Sequence, residues 1–257
     1  MQDVYGQVCV PRFYIGKVGI SSVTMAKTLK LIEDQACEMS PAYICIANAE
    51  TTVLSQRDSD FCRIQNESLL TVPDGMPLIW YARIKGEKSV ERITGHGLMK
   101  EILQMSPEYG YAHYFYGDTK ETLLKMKKRI HSLYPGAEIR GMYSPPFRPL
   151  RDYEIHDTIT EINRLKPTFV WVALGAPKQE RWMARVLPHI DSSILIGVGA
   201  AFRFLTGEYR DPPIFVKISG LTGLFWRRSG RTRWYCYHIP AFGILMLKGL
   251  VRRVFWS

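Results

Sequence analysis

A chain of 257 residues with 46% hydrophobic residues can form one large domain or two modest ones around a sizeable core. Its five cysteines (Cys9, Cys37, Cys45, Cys62, Cys236) are an odd number with no Cys-x-x-Cys pair, which argues against a disulfide framework or a zinc knuckle and fits a reducing cytosol; the start MQDVYGQVCV lacks the basic onset and apolar core of a signal peptide. The net charge of +10 is uneven: residues 203–257 carry ten Lys/Arg against two acids, so a nearly neutral body bears a basic tail suited to an anionic partner, a membrane or a nucleic acid.

In chain order, Phe13 to Ile20 reads as a first strand or hairpin. Met25, Leu29, Ile32 and Ala36 recur at helical spacing, which predicts an amphipathic helix over 23–38. Ala42 to Ala47 is a buried strand ending in Asn48-Ala49-Glu50-Thr51, followed by a short helix and another near 59–67. Leu69 to Val72 is a strand that delivers Pro73-Asp74-Gly75 onto a tight turn, and 76–85 and 97–106 read as helices. The second half alternates more clearly. Strands are expected at Tyr111 to Tyr116, Glu138 to Tyr143, Thr168 to Leu174 and Ser193 to Val198, with apolar helical stripes between them. Alternation of this length indicates βαβ units and a parallel sheet, and the nearly uncharged TFVWVAL run is what a strand covered on both faces requires. The expectation is an α/β, Rossmann-like parallel sheet core with helices on both faces over residues 1–208, and a C-terminal helical membrane-binding appendage over 209–257. Trp234 to Leu247 is free of Lys, Arg, Asp and Glu but has only fourteen residues and contains Pro240 and Gly243. A spanning helix needs about twenty apolar residues, so the tail, with Trp226, Arg227, Arg228, Arg231, Arg233 and Trp234, reads as lying on a membrane rather than crossing it.

Three strand ends could carry chemistry. Asp74 is a lone carboxylate at the C-terminal end of a strand, where open α/β sheets place their ligands, and Arg92 follows eighteen positions later. It suits a general base; the plainer alternative is an ordinary Pro-Asp-Gly turn. Leu174-Gly175-Ala176-Pro177-Lys178-Gln179-Glu180 joins a buried strand to a helix, whose free N–H groups can hold a phosphate with Lys178 and Gln179 as added donors. Gly117-Asp118-Thr119 repeats that geometry, with an N-cap as the plainer reading. Asp58-Ser59-Asp60 matches a short metal-binding pattern but falls where a helix begins, so capping explains it better; the six histidines show no paired ligand spacing, and no metal is expected. Gly197-Val198-Gly199-Ala200-Ala201-Phe202 lacks the third glycine of a dinucleotide fingerprint.

Asn48-Ala49-Glu50, Pro73-Asp74-Gly75, Glu91-Arg92-x-x-Gly95, the 174–180 segment and Gly197 to Phe202 together resemble, in order and spacing over roughly residues 10 to 235, the WecG/TagA/CpsF glycosyltransferases, glycosyltransferase family twenty-six. The resemblance implies an inverting, metal-independent hexosyl- or N-acetylhexosaminyl-transferase. Such an enzyme moves a sugar from a UDP-sugar co-substrate, without a cofactor, to a polyprenyl-diphosphate-linked glycan at the cytoplasmic face of the bacterial inner membrane, for cell-surface polysaccharide. It implies Asp74 as base, Arg92 near the donor diphosphate and Gln179 near the reacting groups. Asn48, Gly117, Gly175, Lys178, Gly199 and Arg203 are the accompanying candidates for substrate or nucleotide. The chain departs from the family's pattern at Ile46, at Gly97, at Arg203 (where members commonly have Asp) and at Gly220-Leu221-Thr222-Gly223.

Two other classes compete. A nucleic-acid-binding protein would explain the basic, aromatic tail but none of the strand-end motifs; with the transferase reading, no nucleic acid partner is expected. An oxidoreductase would need the missing glycine. A family member that binds its ligands without turning them over is the remaining alternative, and no oligomeric state follows from the sequence.

Overall fold

The computed structural model describes residues 10–213, 216 and the helix at 232–255, with side chains of that helix described at 238–249. The elements are β1 (Arg12–Ile15), β2 (Val18–Ser21), α1 (Met25–Cys37), β3 (Ala42–Ala47), α2 (Ala49–Arg57), α3 (Ser59–Glu67), β4 (Leu70–Pro73), α4 (Met76–Ile84), α5 (Gly95–Tyr109), β5 (Ala112–Gly117), α6 (Lys120–Leu133), β6 (Glu138–Tyr143), α7 (Asp152–Leu165), β7 (Phe169–Ala173), α8 (Lys178–Val186), β8 (Ile194–Gly197), α9 (Ala201–Leu205) and α10 (Thr232–Phe255). A parallel, Rossmann-like sheet has the strand order β4-β3-β8-β7-β5-β6 and is flanked by helices, as the alternating pattern indicated. β1 and β2 form a separate antiparallel hairpin.

The chain divides into two compact units, one of Met1–Met25, Ala47–Ile93 and Pro212–Ser257, the other of Ala26–Ile46 and Thr94–Asp211. The division of 1–208 from 209–257 is one of function, core against membrane appendage, and remains a proposal.

The first unit has its own core. Phe13, Ile15, Val18 and Ile20 from the hairpin meet Val53, Leu78, Tyr81 and Ala82, and Phe242 of α10, only 2% exposed, closes the cluster. Ser21 Oγ accepts the Thr71 N–H at 3.0 Å, which ties β2 to β4. The Trp234 to Leu247 run lies in a continuous helix of 24 residues with Pro240 inside it. Proline removes one helical hydrogen bond; packing of Phe242 into the cluster holds the helix together around it. Among the described residues no helix is long and apolar enough to cross a membrane.

The second unit holds the strand-order reversal. From β5 the chain steps outward to β6, then returns past β5 to β7 and continues to β8. The helices after β5 and β7 therefore leave in different directions, which opens a crevice at the carboxyl ends of these two strands. All of β5, and β7 except Ala173, is buried, as strands covered on both faces must be. Gly117 is paired with Ala173 at the ends of those strands. Its φ is +123°, and a Cβ there would collide with the Ala173 carbonyl oxygen, so only glycine lets β5 close against β7 at this point.

Candidate active site

In the first unit, β4 ends at Pro73 and the backbone N–H of Asp74 donates to Ala47 O at 2.7 Å. Gly75 then adopts a φ of +141°, a conformation glycine tolerates and side-chain-bearing residues resist, and α4 begins at the next residue. The strand therefore hands over to a helix within two residues, with Asp74 at the junction. Arg92 is brought there by the main chain: Ile93 N–H donates to Pro73 O at 2.8 Å. Its Nε then donates to Asp74 Oδ1 at 3.1 Å, the two side chains being 20% and 26% exposed. The neighbouring Glu91 has another task, since its Oε2 accepts the Met25 N–H at 2.9 Å. Asn48 caps α2, its Oδ1 accepting the Thr51 N–H at 3.1 Å while Thr51 Oγ1 accepts the Asn48 N–H at 2.9 Å. This cap uses the amide oxygen and leaves Nδ2 to donate elsewhere. Asp58 caps α3 by accepting the Phe61 N–H at 2.9 Å, and Asp60 pairs with Arg63 at 2.8 Å, so that Asp-x-Asp pattern serves a helix start.

In the second unit, Asp118 follows β5 at the strand-order reversal with a φ of +54°. Its N–H donates to Ala173 O at 3.2 Å and its carbonyl accepts from Ser144 Oγ at 2.7 Å. Its carboxylate, 8% exposed, accepts from Thr119 N at 2.8 Å and Thr122 Oγ1 at 3.1 Å. It also holds Arg203 by two bonds, Nε to Oδ2 at 3.1 Å and Nη2 to Oδ1 at 3.2 Å. Burial pushes the Asp118 carboxyl up, but the Arg203 hydrogen bonds and charge, with the Thr119 N–H and the Thr122 hydroxyl, outweigh it and hold the group below its ordinary range. The cap of α6 itself falls to Thr119, whose Oγ1 accepts the Thr122 N–H at 3.2 Å.

Gln179, 4% exposed, joins two turns of this unit: its Oε1 accepts the Gly199 N–H at 3.1 Å and its Nε2 donates to Glu180 at 2.8 Å. Gly199 thus lies against the start of α8, and Gly175 O accepts the Gln179 N–H at 3.1 Å at the same turn. Lys178, the first residue of α8, is exposed. His96, unassigned by motif, stacks on Phe204 at 4.4 Å and reaches Asp211 through Nε2 at 2.9 Å. Among the described residues no three His, Cys, Asp or Glu side chains converge as metal ligands would.

Within the first unit, then, the structure joins Asp74 to Arg92 and turns Asn48 to a helix cap. Within the second it joins Gln179 to Gly199, places Gly175 and Lys178 at one helix start, and closes Gly117 on β7. Arg203 is bound to Asp118, a pairing across 85 positions that no local pattern could reveal. Trp226, Arg227, Arg228 and Arg231 lie outside the described residues; Arg233 and Trp234 fall in α10, where the backbone alone is described.

The chain was compared with known proteins. The model of the WecG/TagA/CpsF family of glycosyl transferases matches residues 13–254. An N-acetylglucosaminyldiphosphoundecaprenol N-acetyl-beta-D-mannosaminyltransferase of Bacillus subtilis (strain 168) is 26% identical over 208 residues, 80% of this chain and 79% of the relative. Enzymes of the same name from Bacillus spizizenii (strain ATCC 23059 / NRRL B-14472 / W23), 24% identical over 208 residues (80% and 79%), and Staphylococcus aureus (strain NCTC 8325 / PS 47), 22% identical over 205 residues (78% and 77%), are also similar. With a match that spans nearly the whole chain, including the strand that presents Asp74 and the turns that hold Gln179 and Gly199, this protein belongs to the WecG/TagA/CpsF family of glycosyltransferases.

Proposed function

We propose that this glycosyltransferase moves a sugar from a UDP-sugar to a polyprenyl-diphosphate-linked sugar with inversion, as a step in building a cell-envelope polymer at the cytoplasmic face of the membrane. The observation that carries the reading is the Asp74–Arg92 pair at the end of β4, in a chain of this family. The relatives' names support the acceptor class, since each is named for transfer onto a sugar on diphosphoundecaprenol.

In the proposed reaction Asp74 takes the proton of the acceptor hydroxyl as its oxygen bonds to the anomeric carbon of the donor. The bond from that carbon to the UDP oxygen breaks on the opposite side, and UDP leaves with the electron pair. Charge grows on the diphosphate as the bond breaks. A guanidinium and helix-terminal N–H groups are suited to meet it without a metal. Arg92 and the Asn48 amide, both of the first unit, are the donors assigned to that task. Gln179, whose amide already joins two turns, acts here by positioning them rather than on the reacting atoms.

The test is calorimetric titration with UDP, with NADH and a short DNA duplex as controls, followed by transfer from UDP-N-acetylmannosamine to a lipid-diphosphate-linked N-acetylglucosamine. UDP binding and sugar transfer are expected. Binding of a control in place of UDP would overturn the reading, and UDP binding without transfer from any UDP-sugar would reduce it to a ligand-binding family member.

A further inference from the structure

α4 presents an anomaly. Its nine residues, MPLIWYARI, contain one charge, Arg83. Leu78, Ile79, Tyr81 and Ala82 form its buried side. The opposite side of a soluble protein's helix is ordinarily polar, yet here it carries Trp80, 40% exposed, and Ile84, 55% exposed, one turn apart. α10 packs beside it in the same unit: Lys85 Nζ donates to Gly249 O at 2.7 Å, and a Cβ on Gly249 would collide with the Tyr81 hydroxyl. α10 repeats the pattern, with Phe242 inside and Ile244 and Leu247 56% and 64% exposed. Two adjoining helices thus each turn apolar side chains to solvent, and cations accompany both. Arg83 lies on α4, Lys85 and Lys88 come just after its end with Glu87 between them, and Lys248 lies on α10.

We infer that α4, and not the C-terminal tail alone, is a membrane-contacting helix, with Trp80 and Ile84 seated at the boundary between headgroups and acyl chains of an anionic bilayer. Exposed tryptophan and isoleucine beside lysine and arginine are the composition of an interfacial helix. An aqueous partner protein would be served equally by an uncharged rim, whereas the cations here complement anionic lipid. The inference rests on the transferase reading and adds a distance to it. α4 starts two residues after Asp74 and is nine residues, about 13 Å, long, so one short helix joins that carboxylate to the bilayer contact. An acceptor whose reacting sugar is tied to its lipid by only a diphosphate requires a base held that close.

The experiment is co-sedimentation of the full chain with vesicles of phosphatidylglycerol and phosphatidylcholine. It compares wild type, Trp80→Glu/Ile84→Glu, Trp80→Phe, and Leu124→Glu on α6 as a control of similar exposure (64%). Thermal melting of each variant checks folding, and sedimentation velocity reads self-association. The double variant is expected to lose at least about tenfold in vesicle partitioning, while Trp80→Phe retains most binding and Leu124→Glu all of it. Equal binding by a folded double variant would overturn the inference. So would a wild type that ignores the vesicles, or a double variant altered only in self-association. Turnover of a short-chain, water-soluble acceptor by the wild type tests the transfer reading separately. If that turnover is absent while vesicle binding still depends on Trp80 and Ile84, the transferase reading fails and the membrane face stands.

Discussion

Among the described residues each unit has an aspartate–arginine pair at the end of a strand, and the two are built differently. Asp118 holds Arg203 by two bonds and accepts two more from Thr119 and Thr122, with its carboxylate 8% exposed. Asp74 receives an Nε donation from Arg92, with both side chains open to a fifth or a quarter of their surface. A carboxylate that accepts four hydrogen bonds and has little access to solvent is a fixture. A carboxylate and a guanidinium that are both partly open to solvent can reach a substrate as well as each other. The contrast supports the proposal of reaction chemistry at Asp74 and Arg92, and of a structural part at the strand-order reversal for the Asp118–Arg203 bond.

The strongest way to break this contrast is at Asp74. Asp74→Asn keeps the shape and removes the base; transfer is expected to fall about 10²- to 10⁴-fold, with the melting temperature unchanged. Near-normal turnover would end Asp74's role. Arg92→Ala is expected to weaken UDP binding about tenfold to a hundredfold by calorimetry, and unchanged affinity would remove Arg92 from the diphosphate. Asp118→Asn is expected to act on stability first, by about 1–2 kcal/mol in urea unfolding, a modest figure because Arg203 is 38% exposed and solvent screens it. The smallest effect sharpens the comparison by pH. Because the folded Asp118 carboxyl titrates below its unfolded value, its contribution is present above about pH 4 and is lost as pH falls through the folded value. Wild type should therefore lose part of its advantage over Asp118→Asn between pH 5 and the acid limit of folding, as equilibrium unfolding at a series of pH values will read; a constant difference would contradict the assignment.

What could be read from sequence divides along the same line. β3, α3 and β6 fall where the apolar runs and turn residues put them, because strand and helix periodicity are local signals. Asp74 was visible as a carboxylate at a strand end, and Arg92 as its companion by motif. Their contact was not, because it depends on a backbone bond between Ile93 and Pro73, twenty residues apart. The Asp118–Arg203 pair was hidden more deeply: Thr119 offered a sufficient local reason for the turn, and the partner arrives from α9 only after β8 is in place. That α10 runs on through Pro240 has no local signal, because it depends on the long-range anchoring of Phe242. The outward apolar side of α4 was legible only in part, since its sequence shows an uncharged helix but not which of its faces is covered.

Phe242 also has a consequence for biosynthesis. The hairpin residues Phe13, Ile15, Val18 and Ile20 leave the ribosome well before the aromatic ring that seals them, which is made more than two hundred residues later. During that interval the cluster has an open wall, and closing it forms contacts of very high sequence separation, the slowest kind to make. A nascent chain paused before residue 242 is therefore exposed to misassociation through this hairpin. Removing α10 to obtain a more soluble protein would have the opposite result, since it reopens that wall.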